Sequence, residues 1–132
     1  MHLEFVVAGT PMSQQASSKS RTAWKKEVQE AAKKKWGTAP PFAGEVMVTI
    51  TYFFEDKLLD VDNMAKPILD ALTGLVYFDD SQVTDLLCRK RDLKGDVRIQ
   101  NPSSVLLENL SRPEQFLHIT VVDALNQEVA TC

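Results

Sequence analysis

The residues whose types and spacing could do chemistry lie in Asp60-Val61-Asp62-Asn63-Met64-Ala65-Lys66, followed by Phe78-Asp79-Asp80-Ser81-Gln82. Carboxylates at i and i+2 of an extended segment point to the same side, because side chains alternate with period two. Read as extended, Asp60 and Asp62 can therefore share an ion. Oxygen-only ligands suit Mg²⁺ or Mn²⁺, which bind few carboxylates and keep open positions for water and phosphate. Such an ion orients a water nucleophile and stabilises charge on a phosphodiester. Lys66 follows Asp62 by one helical turn, where its ammonium can neutralise a transition-state phosphate or position the attacking water. The same residues have a purely structural reading. Asp62 or Asn63 can cap a helix, Asp79 and Asp80 can sit in a turn, and Lys66 can pair with Asp62 or Asp70 as a helical neighbour. Spacing alone leaves both open.

Geometry adds a condition. A helix after Asn63 of about 12 residues is roughly 18 Å long and leaves Asp79 and Asp80 at its far end. The acidic groups reconverge only if this helix lies beside a strand and the following Val76–Val83 segment runs back toward Asp60 and Asp62.

The positioning elements follow from pattern. Leu3–Ala8 reads as a short strand bounded by Gly9 and Pro11, and Pro11–Ser20 as a loop. Arg21–Trp36, free of Gly and Pro, predicts a helix with Trp24, Val28 and Ala31 or Ala32 inward and Ser20 or Thr22 as cap. Gly37 and Pro40–Pro41 end it. Glu45–Phe54 predicts a central strand with Val46, Val48, Ile50 and Tyr52 on one face. Asn63–Leu75 predicts the second helix, with Pro67 in its first turn, where a missing donor costs least. Val83–Leu93 is a strand, Lys94-Gly95-Asp96 a turn and Val97–Gln100 a possible partner strand. Residues 101–115 read as a short helix or an inserted excursion, and Phe116–Asp123 as the closing strand. The order predicts a mixed α/β (α+β) layer, with two main helices packed on one mixed sheet.

Composition bounds the function. The chain has 132 residues, 44% hydrophobic and 25% charged, a size at which one hydrophobic core suffices for a single domain spanning 1–132. Cys88 and Cys132 form neither a disulfide framework nor a zinc site. No secretory leader and no membrane span is legible, so a reducing cytoplasm is the expected location. The net charge of −3 argues against a nucleic-acid partner until its distribution is read. Lys19, Arg21, Lys25, Lys26, Lys33, Lys34 and Lys35 crowd the first helix against Glu27 and Glu30, while aspartates crowd residues 56–85. The basic run serves either as a solvated helix face or as a nucleic-acid surface. His2 and His118 have no ligand spacing, Cys88 sits in an apolar run, and neither a Ser-His-Asp order nor a Gly-rich phosphate loop can be assembled.

At LDVDNMAKPILDALTGLVYFDDSQV, residues 59–83, the sequence resembles the RusA family of Holliday-junction resolvases, small homodimeric Mg²⁺-dependent endonucleases of bacteria and prophages. The matching features are a D-x-D-N-x-x-K helix followed by D-D-x-Q-[VI]. The resemblance implies that Asp60, Asp62 and Asp80 are metal-binding catalytic carboxylates, that Lys66 is the essential lysine, and that Asn63 and Asp79 support them. Arg89-Lys90-Arg91 is similar to the family's basic strand and, with Lys25, Lys26, Lys33, Lys34 and Lys35, is implied to contact DNA. Gln14–Gln15 stands where the family's loop carries paired asparagines. The implied partners are a four-way junction and a second copy of the chain, with no membrane, and the implied cofactor is Mg²⁺ with Mn²⁺ as substitute. Residues 94–115 look like an insertion between the last two strands. A different reading keeps the fold as a non-cleaving module that binds branched DNA or a protein partner.

Overall fold

The computed structural model describes residues 1–9, 11, 16–55, 59–112, 114–129 and 131. Its elements, in chain order, are β1 (His2–Ala8), α1 (Ser18–Trp36), β2 (Val46–Phe54), α2 (Val61–Leu72), a single 3₁₀ turn (Asp80–Gln82), β3 (Val83–Asp92), α3 (Ser104–Leu110) and β4 (Phe116–Asp123). The strands form one mixed sheet in the order β1-β4-β2-β3, an α+β architecture. β4 pairs antiparallel with both β1 and β2, whereas β2 and β3 are parallel. A parallel pair cannot be joined by a hairpin, and α2 supplies the crossover.

Strand alternation gives the sheet two unlike faces. Val46, Val48, Ile50 and Tyr52 of β2 face the same way as Leu117, Ile119 and Val121 of β4 and Leu3, Phe5 and Val7 of β1. All are buried, and with Trp24, Val28 and Ala32 of α1 and Met64, Ile68, Ala71 and Leu72 of α2 they make the main core. A smaller cluster lies on the opposite face, where Phe53 and Phe116 stack at 4.8 Å beneath Leu106 of α3. The sheet thus carries α1 and α2 on its front and α3 on part of its back.

Several element ends differ from the pattern-based expectation. The first helix starts earlier, at Ser18, because the Ser17 hydroxyl accepts from the Ser20 amide and caps it. α2 starts at Val61 with Asp60 as its N-cap residue, so Asp60 and Asp62 do not lie on an extended segment and the alternation argument for a shared face fails. Pro67 consequently falls inside the helix rather than in its first turn. It removes one ladder bond, to the carbonyl of Asn63, and its buried ring keeps its place through packing. Val97–Gln100 forms no strand. Val97 and Ile99 instead pack against the back-face cluster. Residues 101–115 contain the short helix α3, started by Ser103, whose hydroxyl accepts from the Leu106 amide. Gln14–Gln15, Asp56, Lys57 and Cys132 lie outside the described residues.

Gln82 locks the segment before β3 to the loop before β2. Its carboxamide oxygen accepts from the amides of Phe78 and Asp79, while its Nε2 donates to the carbonyls of Phe42 and Gly44, all within 2.7–3.0 Å. No apolar side chain of similar size can replace four bonds to main chain. Gln82→Leu should therefore cost about 2 kcal/mol of stability, given net values of ~1 kcal/mol per bond and partial rescue by water. Urea denaturation checks this: a lower midpoint at unchanged slope is expected, and an unchanged midpoint would show that the carboxamide holds nothing.

Candidate functional site

A chain reversal after α2 builds the site. Gly74 follows the helix with φ +84°, a conformation that strains any residue with a Cβ. Its amide donates to the Tyr77 carbonyl at 2.7 Å. The chain then runs back beside the helix it has just left. Tyr77 is fully buried, and its hydroxyl donates to the Leu69 carbonyl at 2.9 Å; burial pushes its pKa up to about 12, so it remains a donor. Three residues further along the chain and three residues back along the helix, Asp80 Oδ2 lies 3.3 Å from Lys66 Nζ. Asp80 thus returns to the middle of α2, beside Lys66, rather than remaining at the helix's end.

Lys66 Nζ bridges two carboxylates, Asp70 Oδ1 at 3.0 Å and Asp80 Oδ2 at 3.3 Å. Hydrogen bonds to Asp70 and then to Asp80 raise its pKa above the ordinary lysine value, so it is a permanent cation. Asp79 caps the 3₁₀ turn by accepting from the Ser81 amide at 3.1 Å, and the Ser81 hydroxyl first, then this amide, hold its carboxyl below its ordinary value. These groups line an open groove of about 460 Å³ between α1 and α2, whose α1 wall presents Arg21 and Lys25. Carboxylates and cations therefore share one surface.

The sequence-predicted residues do not gather in one place. Lys66, Asp79, Asp80 and Lys25 line the groove. Asp60 and Asp62 are exposed one to two turns toward the start of α2, beside Asn63. The Asp60 carboxylate makes no capping bond among the described residues, while Asp62 sits in the first turn, where the helix dipole favours negative charge. Lys26, Lys33, Lys34 and Lys35 are exposed on α1 but outside the groove, and the last three also complement the negative end of that helix. Arg89-Lys90-Arg91 is split by strand alternation. Lys90 is in register with Tyr52 on the helix side, whereas Arg89 and Arg91 pair with Thr51 and Phe53 on the opposite face.

Asp70, read above as a helical neighbour of Lys66, is its closer partner. Two features were not singled out by pattern. Phe78, next in sequence to the groove-lining Asp79, is an aromatic side chain 59% exposed. On the back of the sheet, Glu4 joins Ser103 and His118, 99 and 114 residues away in sequence, which no local spacing announces. Cys88 is half-buried with its thiol donating to the Val61 carbonyl, and burial pushes its pKa up to about 11, so it is no nucleophile.

The family described as endodeoxyribonuclease RusA matches residues 5–100, from β1 through β3 and beyond. The chain belongs to the RusA family. RusA proteins are endodeoxyribonucleases by that description, so the acidic groove lies in a chain of a nuclease family. A search of curated proteins finds no match. Within the RusA match fall both halves of the motif and the reversal that joins them. Among the described residues, no helix is long and apolar enough to cross a membrane.

The donor chemistry suits a hard divalent cation: the candidate ligands are exposed or half-exposed aspartates, and among the described residues no thiol or histidine lines the groove. Among the described residues, no three His, Cys, Asp or Glu side chains converge on one point, and Lys66 is the cation that Asp80 meets. That lysine is half exposed, so its pairs contribute little to folding. Lys66→Met should change the unfolding free energy by less than about 1 kcal/mol in chemical denaturation. A loss of several kcal/mol would make the lysine a structural residue.

Proposed function

We propose that the chain is a metal-dependent, structure-selective endodeoxyribonuclease that resolves four-way DNA junctions. The observation that carries this reading is the 3.3 Å contact between Lys66 and Asp80, which joins the two halves of the RusA motif at one groove. Asp60, Asp62 and Asp80 hold Mg²⁺, or Mn²⁺ in its place, with Asn63 and Asp79 in support. The ion, when bound, supplies Lewis-acid stabilisation of the charge that builds on the phosphodiester. Lys66, paired with Asp70 and Asp80, adds a permanent positive charge, and it steadies the developing phosphorane. Arg21 and Lys25 on the facing wall suit the phosphates flanking the scissile one, and Lys26, Lys33, Lys34, Lys35 and Lys90 extend the contact by charge rather than by base readout.

A homodimer fits this substrate. Two identical sites related by a two-fold axis match the two opposed strands of a junction of the same symmetry.

A labelled four-way junction incubated with Mg²⁺, beside linear duplex of the same sequence, tests the activity. Paired symmetric nicks on the junction alone are expected, with at least a hundredfold loss in Asp80→Asn and retained junction binding. Binding without cleavage across Mg²⁺ and Mn²⁺ would instead make the protein a non-cleaving branched-DNA module.

A further inference from the structure

The back of the sheet carries a second basic groove. Arg89 and Arg91 stand there, separated by the sheet from Lys66 and the nuclease groove, and with Arg98 and Asn101 they line an open groove of about 420 Å³ floored by His118 and Glu4. Arg89 is held in place, its Nε donating to the buried Thr51 hydroxyl at 2.8 Å, and Arg91 Nη1 donates to the Lys90 carbonyl. Neither guanidinium has a carboxylate partner among the described residues. Burial, and then the charge of Arg91, lower the pKa of Arg89 from its ordinary value, as two like charges lacking a counterion should. Among the described residues Arg98 pairs with Asp96 alone, in a bridge so exposed that an incoming anion can displace it.

Among the described residues, the one carboxylate lining this groove is occupied. Glu4 Oε2 accepts from the Ser103 hydroxyl at 2.5 Å and meets His118 Nε2 at 2.6 Å. Burial pushes its pKa up, but the bonds from Ser103 and His118 outweigh burial and leave it ionised below the usual range. Because Ser103 also caps α3, the same contact fastens the 94–115 excursion against the sheet and fixes the groove's outer wall. Planar guanidinium forks on a rigid strand match phosphate oxygens in pairs.

We infer that this groove binds the phosphate backbone of a second DNA segment, so that one protomer touches duplex on both faces of its sheet. The inference rests on the DNA-substrate reading above, and its test separates the two. A duplex of about one helical turn is titrated calorimetrically, in EDTA, into the full chain and into R91Q/R98Q, both exposed positions whose loss leaves the core intact. The expected stoichiometry falls from two duplexes per protomer to one, with R91K/R98K retaining two and the salt slope of the lost site vanishing with it. A fall from one to zero would support the back groove and remove the front one. Unchanged stoichiometry and affinity would overturn the inference. So would a loss confined to inorganic phosphate binding, which would mark a small-anion site.

Discussion

The bond from the Tyr77 hydroxyl to the Leu69 carbonyl, made possible by the left-handed backbone of Gly74, decides where Asp80 goes. Without that reversal the end of α2 would carry the second half of the motif away from the first, and Lys66 would meet only its helical neighbour Asp70. The reversal is held from three sides. The Phe42 amide donates to the Val76 carbonyl, Gly74 donates to the Tyr77 carbonyl, and Gln82 ties the 3₁₀ turn to the loop before β2. Two of these anchors join main chain to main chain and the third is the Gln82 carboxamide bonded to main-chain groups, so the fold fixes the backbone at Asp80.

The parallel pairing of β2 and β3 is the second constraint. It requires a crossover, and α2 as that crossover places its first turn, with Asp60 and Asp62, where the chain leaves β2. Cys88 of β3 meets the Val61 carbonyl there, so the start of the helix is tied to the edge strand as well. Because side chains alternate along β3, the same strand sends Lys90 toward the helices and Arg89 and Arg91 away from them. One basic run therefore serves two faces.

Much of this was legible in the sequence where a single physical signal dominated. The alternation in Glu45–Phe54 and the β-branched, largely apolar segment Phe116–Val122 are strong enough that β2 and β4 appear within a residue of their expected bounds. Helix starts were read late. Ser17 competes with Ser20 as a cap, and Asp60 precedes two other residues of equal capping tendency, so local propensity does not choose among them. Pro67 pulled the expected start of α2 forward, whereas burial of its ring inside the helix overrides the local penalty. The strand expected at Val97–Gln100 fails because Val97 and Ile99 find their apolar contacts on the back of the sheet without joining it. At the site, Lys66 and Asp80 could be paired on motif order, but the register that unites them is set by Tyr77 and Leu69, and no spacing rule reveals it. Glu4, Ser103 and His118 come together only through the pairing of β1 with β4 and the return of α3, which is tertiary information.

The central claim is that Asp60, Asp62 and Asp80 serve one metal ion although they reach it from the two ends of the reversal. Substoichiometric Mn²⁺ added to the isotopically labelled chain, followed by amide line broadening, tests this without any turnover. Residues 60–66 and 79–82 should broaden together, and the effect should disappear from both segments in Asp80→Asn. Broadening of only one segment, or broadening centred on carboxylates elsewhere on the surface, would contradict a shared metal centre at this groove.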